Sequence, residues 1–302
     1  MIKVCKVHCL SEAISPITHM MGTSGNEAII NRESVLFDGQ VRQVPVLSGN
    51  AIRHKMIRES GALHLVKICG LEGKLTLDQA NYLFNGGNLT ESSPTENLAK
   101  IADMQELMPL IRLLGGSLRN QVIGGSLIVG RGILICEENR EAIEKMLPKE
   151  FELPETRLRS CEDFIDQYQY TRGDAGKRKD ANLILEEEGQ GDNLMIYSGQ
   201  SIIPGSIFYH QFILQNVSEL EVGALLNSLY EWDLSGATIG GSARIGHGKL
   251  QTYYLIEHDE EILSVPQTLI ENYRKHCEAN RGEISDWLFA TFPKKEKIRK
   301  SA

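Results

Sequence analysis

Residues 44–58, VPVLSGNAIRHKMIR, join an extended apolar segment to a turn and a basic helix. Ser48, Gly49 and Asn50 are residue types that cap helices, and the apolar spacing that follows predicts a helix ending at Gly61. The free N–H groups at a helix start attract an anion, and an arginine in the first turn adds a charged donor, so this stretch suits a phosphate. The arginine in the first turn is Arg53. The alternative is an ordinary capped helix with cationic surface residues.

A second motif, GGSARIGHGKL, occupies residues 240–250. Its glycines allow a phosphodiester to approach the backbone closely, and its cationic side chains neutralise the phosphate. The motif lacks the ending of a Walker loop, and no helix follows it as a dinucleotide fingerprint requires. We expect residues 242–258 to form the last core strand, and the alternative for the motif is a tight turn with a bulge. The cationic side chains of the motif are Arg244, His247 and Lys249.

The rest of the chain supplies the other elements of an α+β fold. Residues 1–10 alternate polar and apolar side chains as a strand does, and residues 124–138 predict a strand whose glycines mark a bulge or a close backbone contact. Strand patterns return over 194–216, and an amphipathic helix capped by Ser218 and Glu221 follows. The order strand, helix, strand, strand, helix, strand is the split βαβ pattern of ferredoxin-like and RRM-like folds.

The length of 302 residues exceeds what such a core needs, so we predict one domain, residues 1–302, that carries two insertions. Residues 62–118 contain short helical patterns and form the first insertion. Residues 140–193 are strongly charged with few apolar positions, which predicts a mobile second insertion.

Composition narrows the class of protein. The formal net charge is -8, so any RNA-binding surface has to be local, and the basic segments around residues 42–67 and 112–135 are the candidates. No apolar run approaches the ~20 residues of a membrane-spanning helix and no secretory signal is present, so we expect a cytoplasmic protein without a membrane partner. The six cysteines form no CxxC pair, so neither a zinc ribbon nor a disulfide framework is indicated, and we place Cys5 and Cys9 in the core. We expect no metal and no cofactor.

The two motifs, in this order at opposite ends of a split βαβ core, resemble those of the CRISPR-associated RAMP superfamily. Within that superfamily, residues 110–138, LIRLLGGSLRNQVIGGSLIVGRGILICEE, and residues 170–182, YTRGDAGKRKDAN, are similar to the seventh Cas family. The nearest variant is the type IV backbone subunit, and the resemblance extends to about residue 256.

This resemblance implies a hand-shaped molecule with an RRM-like palm, a helical finger over residues 62–118 and a thumb loop over residues 140–193. It implies a non-catalytic backbone subunit that lines up head-to-tail with its own copies along the spacer of the CRISPR RNA (crRNA). The subunit would hold the crRNA for pairing with target DNA or RNA, together with other CRISPR effector subunits. Binding any spacer requires contacts to phosphate and sugar. The contacts that the resemblance implies are Ser48, Asn50, Arg53 and Lys55 in the turn and helix, Gly240, Gly241, Arg244 and His247 in the glycine-rich element, Arg119 and Arg131 at the finger base, and Arg172, Lys177, Arg178 and Lys179 in the thumb, where a solvated charged loop is the alternative.

Two other functions stay open. A RAMP endoribonuclease would cut target RNA or process the crRNA, but the position that matches the family's catalytic acid is Asn26, and an amide cannot accept a proton as a carboxylate does. Glu27 and Asp38 lie near that position. A scaffold module of some other RNA-binding complex is the second alternative. The histidines in the segments expected to face RNA, none with a sequence pattern that pairs it with Ser, Tyr or Lys, are His8, His19, His54 and His247.

Overall fold

A computed structural model describes residues 1–24, 27–88, 98–118, 121–151, 158–172, 195–258 and 261–294. The strands are β1 (Ile2–Ala13), β2 (Met20–Ser24), β3 (Glu27–Ile30), β4 (Arg32–Phe37), β5 (Gln40–Leu47), β6 (Gly116–Leu118), β7 (Gln121–Ile123), β8 (Leu127–Val129), β9 (Gly132–Leu134), β10 (Ile165–Arg172), β11 (Met195–Ile202), β12 (Ile207–Val217), β13 (Leu250–His258) and β14 (Glu261–Leu263). The helices are α1 (Gly49–Ile52), α2 (Ser60–Ile68), α3 (Leu77–Asn85), α4 (Leu98–Leu107), α5 (Pro109–Leu114), α6 (Arg140–Met146), α7 (Glu219–Leu234), α8 (Gln267–Ala279) and α9 (Arg281–Thr291), and the π-helical segment Arg53–Glu59 joins α1 to α2.

The main sheet is antiparallel and has eight strands. Its order is β14-β13-β1-β12-β9-β5-β4, with β8 pairing with β12 next to β9. The long strand β1 lies in the middle, hydrogen-bonded to β12 on one side and to β13 on the other. The six elements predicted from the sequence therefore occur in the predicted order, as β1, the α1–α2 helix, β8 with β9, β12, α7 and β13.

The interruption between β8 and β9 lies at Gly130 and Arg131. The Gly130 N–H donates to the Gln211 carbonyl at 2.8 Å, and a Cβ at Gly130 would lie 3.1 Å from the same oxygen. The close backbone contact that the glycines of this strand predicted is therefore confirmed.

In the described ranges, every helix except α6 contributes to the apolar cluster on one face of the main sheet. Cys5 and Cys9 of β1 point to this face and are buried, which confirms their predicted place in the core. Ser218 and Glu221 form the predicted capping box at the start of α7. The other face is covered in part by α6, which packs with Tyr209 and neighbouring isoleucines in a second apolar cluster.

The helix that follows Ser48 does not end at Gly61, as the sequence predicted, but continues to Ile68. Gly61 lies where the helix meets its neighbours: a Cβ there would overlap the Ser228 hydroxyl of α7 and lie 2.7 Å from the Leu110 side chain. The glycine therefore permits close helix packing, which is a role that a sequence pattern does not distinguish from a helix end.

A second sheet has the order β10-β11-β3-β2, with β11 and β3 parallel and the other pairs antiparallel. Its strand β10 and the helix α6 both fall in residues 140–193, so part of the predicted insertion has regular secondary structure. The apolar residues of 140–172 are few, but Ile143 and Phe164 are buried and anchor this part of the chain. Residues 173–194 lie outside the described ranges.

His210 of β12 is a buried histidine in the core. Its Nε2 lies 3.1 Å from the Ser11 hydroxyl, its Nδ1 has no hydrogen-bond partner in the described structure, and its ring stands edge-on to Phe212. Burial disfavours the imidazolium and lowers the pKa of His210 to about 3.

We expect His210 to make the protein less stable in acid. Below the ordinary histidine pKa of about 6.5, the side chain at position 210 binds a proton in the unfolded chain but not in the folded chain. The free energy of unfolding therefore falls by about 1.4 kcal/mol for each pH unit. Urea unfolding of the wild type and of His210→Leu at pH 7 and pH 5 tests this. The stability of the wild type relative to the variant should fall by about 2 kcal/mol at pH 5, and a difference independent of pH would contradict it.

Candidate nucleic-acid interface

The Ser48 turn has the cap geometry that the sequence predicts. Ser48 is extended and its hydroxyl accepts a hydrogen bond from the Ala51 N–H at 3.2 Å. Gly49 faces the interruption between β8 and β9, since a Cβ there would lie 3.1 Å from the Val129 carbonyl oxygen. The turn therefore lies beside Arg131, and the Asn50 side chain is exposed at the start of the helix.

The glycine-rich motif forms a loop that packs against the backbone of another segment of the protein. Ala243–Ile245 is a 3-10 turn between left-handed Ser242 and Gly246, and the strand begins only at Leu250, so the prediction of a strand from residue 242 is wrong. Left-handed residues cannot continue a strand. The Arg244 side chain is exposed on this loop.

Thr18 and His19 lie between the two motifs and contact both. The Ser48 N–H donates to His19 Nε2 at 3.1 Å. On the other side, the Gly241 N–H donates to the Thr18 carbonyl at 2.7 Å, and the Thr18 hydroxyl donates to the Gly241 carbonyl at 2.8 Å. A Cβ at Gly240 would lie 2.5 Å from the Thr18 oxygen. The two motifs, far apart in sequence, therefore meet along one short segment, which we call the Thr18–His19 seam.

The seam fixes the protonation of its histidine. Because His19 Nε2 accepts the Ser48 N–H, the neutral ring carries its proton on Nδ1. Burial lowers the pKa of His19, so the ring is neutral at physiological pH. The Asn31 N–H donates to the His19 carbonyl at 2.7 Å, and the Asn31 carbonyl accepts a hydrogen bond from the Val46 N–H of β5 at 3.1 Å. Asn31 therefore links the same segment to β5.

Three of the basic residues proposed for RNA contact already have a protein partner. Arg53 donates to the Leu114 carbonyl at the end of α5, and burial lowers its pKa. Lys55 pairs with Glu59 at 2.6 Å. Arg131 pairs with Glu33 at 2.9 Å, although 59% of its side chain remains exposed. These contacts give the first two residues a structural role in addition to any binding role.

Arg244 differs from these residues. It is exposed and makes no ion pair with any part of the chain that the structure describes. Lys249, at the end of the same loop, is exposed as well. Two cations with no acidic partner among the described residues, on one glycine-rich loop, form a candidate site for an anion.

The remaining predicted contacts cannot be placed in the same way. Arg172 is the last residue of β10. Arg119, Lys177, Arg178 and Lys179 lie outside the described residues.

A row of tyrosines beside the glycine-rich loop was missed by the sequence analysis. The row consists of Tyr168 and Tyr170 of β10 and Tyr197 of β11, in this spatial order. The ring planes are nearly parallel, and the centroid of the Tyr170 ring lies 6.3 Å from that of Tyr168 and 5.2 Å from that of Tyr197. The ring of His247 meets Tyr168 edge-on at 5.1 Å. The signal was the alternation Tyr-x-Tyr, but the pairing with Tyr197 crosses more than twenty residues of charged sequence, so no local pattern could reveal it.

The histidines expected to face RNA do not share one environment. His8 is buried and both its nitrogens are engaged, by the Tyr209 hydroxyl at 2.7 Å and by Glu257 at 2.9 Å. His54 lies 3.6 Å from Glu59. Within the described ranges, no group of three or more His, Cys, Asp or Glu side chains is arranged to hold a metal ion. Asn26, the position that matches the family's catalytic acid, lies outside those ranges. None of the described helices is long and apolar enough to cross a membrane.

Comparison with known proteins finds similarity in structure and not in sequence. No family model matches the chain, and no curated protein matches it. A chain of a solved type IV-B CRISPR complex superposes with a TM-score of 0.58 at 17% identity, over 86% of this chain and 94% of that one. Csc2 of Thermofilum pendens gives a TM-score of 0.41 at 14% identity, over 95% of this chain and 80% of that one. The chain therefore shares its fold with a chain of a type IV-B CRISPR complex, the kind of assembly that the sequence resemblance indicated.

Proposed function

We propose that this chain is a non-catalytic RNA-binding subunit of a CRISPR ribonucleoprotein effector complex. Several copies bind head-to-tail along the spacer of the crRNA and hold it for pairing with target DNA or RNA. Other effector subunits complete the complex. The proposal rests on the shared fold with a chain of a type IV-B CRISPR complex and on one observation in the chain itself, the Thr18–His19 seam.

The seam supports RNA binding because it joins the Ser48 turn and the glycine-rich loop, two segments that carry cationic side chains, into one continuous strip of the protein surface. A protein that accepts any spacer sequence needs phosphate and sugar contacts and no base-specific hydrogen bonds. Main-chain N–H groups, glycines and an arginine that makes no ion pair within the described residues supply contacts of this kind. Arg244 is the residue that we expect to contribute most.

The strand order supports the finer description of the fold. Strands β13, β1, β12 and β9 lie side by side in that order, and helices connect β1 to β8 and β12 to β13. This is the arrangement of a ferredoxin-like core, so we infer an RRM-like palm. We assign the helices within residues 62–118 to the finger and the hairpin of β10 with β11 to the base of the thumb.

The proposal predicts salt-sensitive binding that tolerates any sequence. Purified protein should bind labelled single-stranded RNAs of unrelated sequence with affinities that agree within a few fold. The logarithm of the association constant should fall linearly with the logarithm of the NaCl concentration, with a slope of about -2 for three neutralised phosphates. Fluorescence anisotropy over a salt series measures both. A protein free of nucleic acid that binds none of these RNAs at low salt would refute the proposal.

Two further readouts separate the rival functions. In mass photometry the complexes should gain whole protein copies as the RNA is lengthened, which a monomeric binding module would not do. The same RNAs, incubated with and without divalent metal and run on a denaturing gel, should stay intact. Cleavage in either condition would favour the endoribonuclease alternative. The engagement of both His8 nitrogens supports the non-catalytic proposal.

A further inference from the structure

The tyrosine row is built by the pairing of β10 with β11. Tyr170 lies directly opposite Tyr197, and Tyr168 lies directly opposite Gly199. Side chains two residues apart on a strand, and those directly across from them, share one face of a sheet. All three tyrosines therefore project from the same face of the second sheet.

Gly199 makes room for the first ring. A Cβ at that position would lie 2.8 Å from both the Cζ and the hydroxyl oxygen of Tyr168. The Tyr168 ring therefore extends across the gap between the strands and lies over Gly199. Any other residue at position 199 would push the ring out of line with its neighbours.

Cross-strand tyrosine pairs also stabilise hairpins, so stacking alone does not indicate a ligand. Two observations go beyond that structural role. Tyr170, in the middle of the row, is 46% exposed. The row also continues into the glycine-rich loop, because Tyr168 hydrogen-bonds to Ser242 and meets the His247 ring.

The loop that receives Tyr168 is the one that carries Arg244 and Lys249, two exposed cations that make no ion pair in the described ranges. Exposed aromatic rings beside a cationic, glycine-rich backbone are the two components of surfaces that bind single-stranded nucleic acid: the cations hold phosphates and the rings stack on bases. Every base has a π-face, so such stacking does not depend on sequence.

We propose that Tyr168, Tyr170 and Tyr197 form a base-stacking platform for single-stranded RNA whose phosphates lie on the adjacent glycine-rich loop. This inference rests on the proposed RNA-binding function and adds base contacts to its phosphate contacts. The platform orients the bases of the bound strand against the second sheet, while Arg244 sets the position of its backbone.

The test compares a short labelled RNA with a matched oligomer in which consecutive nucleotides carry base-free tetrahydrofuran spacers, so that every phosphate is kept. The wild type should bind the complete oligomer about tenfold more tightly, since stacking contributes roughly 1–3 kcal/mol per base. Tyr170→Ala should bind both oligomers with affinities within about twofold of each other and leave the affinity for the base-free oligomer unchanged. Tyr170→Phe keeps the ring and should behave as the wild type.

The control is Tyr230→Ala, which removes a partly exposed tyrosine from α7, outside the second sheet, and should leave the preference for bases intact. If the wild type binds the two oligomers equally well, the platform is refuted while the phosphate-binding function stands. If Tyr170→Ala keeps the full preference for bases, the platform is refuted as well. If the wild type binds neither oligomer, the proposed function itself is wrong.

Discussion

Replacing Gly248 with alanine is expected to destabilise the protein by about 3 kcal/mol, whereas Gly246→Ala is expected to cost about 1 kcal/mol. Both glycines have φ of +89°, so both substitutions bear the same left-handed backbone cost. They differ in space: nothing lies within 4 Å of a Cβ at Gly246, but a Cβ at Gly248 would overlap the Ile239 carbonyl oxygen. The pair therefore separates steric overlap from backbone strain within one loop.

Urea unfolding at fixed pH measures the two free energies. The Gly248 N–H donates to the Pro16 carbonyl at 2.7 Å, next to the Thr18–His19 seam, so the larger substitution should also weaken RNA binding by displacing the loop. Equal stabilities of the two variants would contradict the packing described for Gly248. Loss of stability in Gly248→Ala with unaltered RNA affinity would separate the loop from the binding surface.

Reversing the charge of Arg244 is the variant expected to affect RNA binding most. Arg244→Glu should lower RNA affinity by about 2 kcal/mol, or about thirtyfold at low salt, because it removes a charge-assisted phosphate contact and adds repulsion. Stability should change by less than about 0.5 kcal/mol, since Arg244 is exposed and unpaired among the described residues. Anisotropy titration and urea unfolding of the same preparation measure both quantities.

The matched control is Lys275→Glu, which makes the same change in net charge at an exposed position of α8. It should alter RNA affinity by no more than about twofold through the overall field. Arg53→Glu gives a different signature, because Arg53 donates to the Leu114 carbonyl. It should lower stability by about 2 kcal/mol as well as affinity. An Arg244→Glu protein that binds RNA as tightly as the wild type would refute our placement of the phosphate site.

The order of the core elements could be predicted because each of them carries its own local signal. Ser48 and Ser218 show capping chemistry, β1 alternates, and the glycines of residues 124–138 mark a broken strand; all four features are found in the structure. The end of the helix at Gly61 was mispredicted because the reason for that glycine is contact with α7, far along the chain. Residues 140–172 were assigned to a loop because a few buried anchors among many charges leave no periodic pattern.

For the proposed RNA-binding strip, too, the sequence indicated only the features that have a local signal. The sequence indicated the Ser48 turn and the glycine-rich loop separately, since each has local chemistry. It did not indicate that Thr18 and His19 join the two motifs, because the hydrogen bond from Thr18 to Gly241 links residues more than two hundred positions apart. Nor did it show that Arg53 and Lys55 have partners within the protein, while Arg244 has none among the described residues. Tertiary contacts determine which cationic side chains remain available to bind RNA. Such contacts cannot be inferred from a single sequence.

The central position of β1 has a consequence for biosynthesis. A ribosome translates β1 before either of its neighbours in the sheet. His8 and Tyr209, the residue of β12 whose hydroxyl hydrogen-bonds its ring, are 201 positions apart, and β13 follows later still. At roughly 5–20 residues per second, an emerging β1 waits on the order of ten seconds or more for its partners. During that time its apolar side chains and open edges are exposed to other nascent chains and to chaperones. Folding of the main sheet is therefore expected to be largely post-translational, and overexpression is expected to favour aggregation at this step.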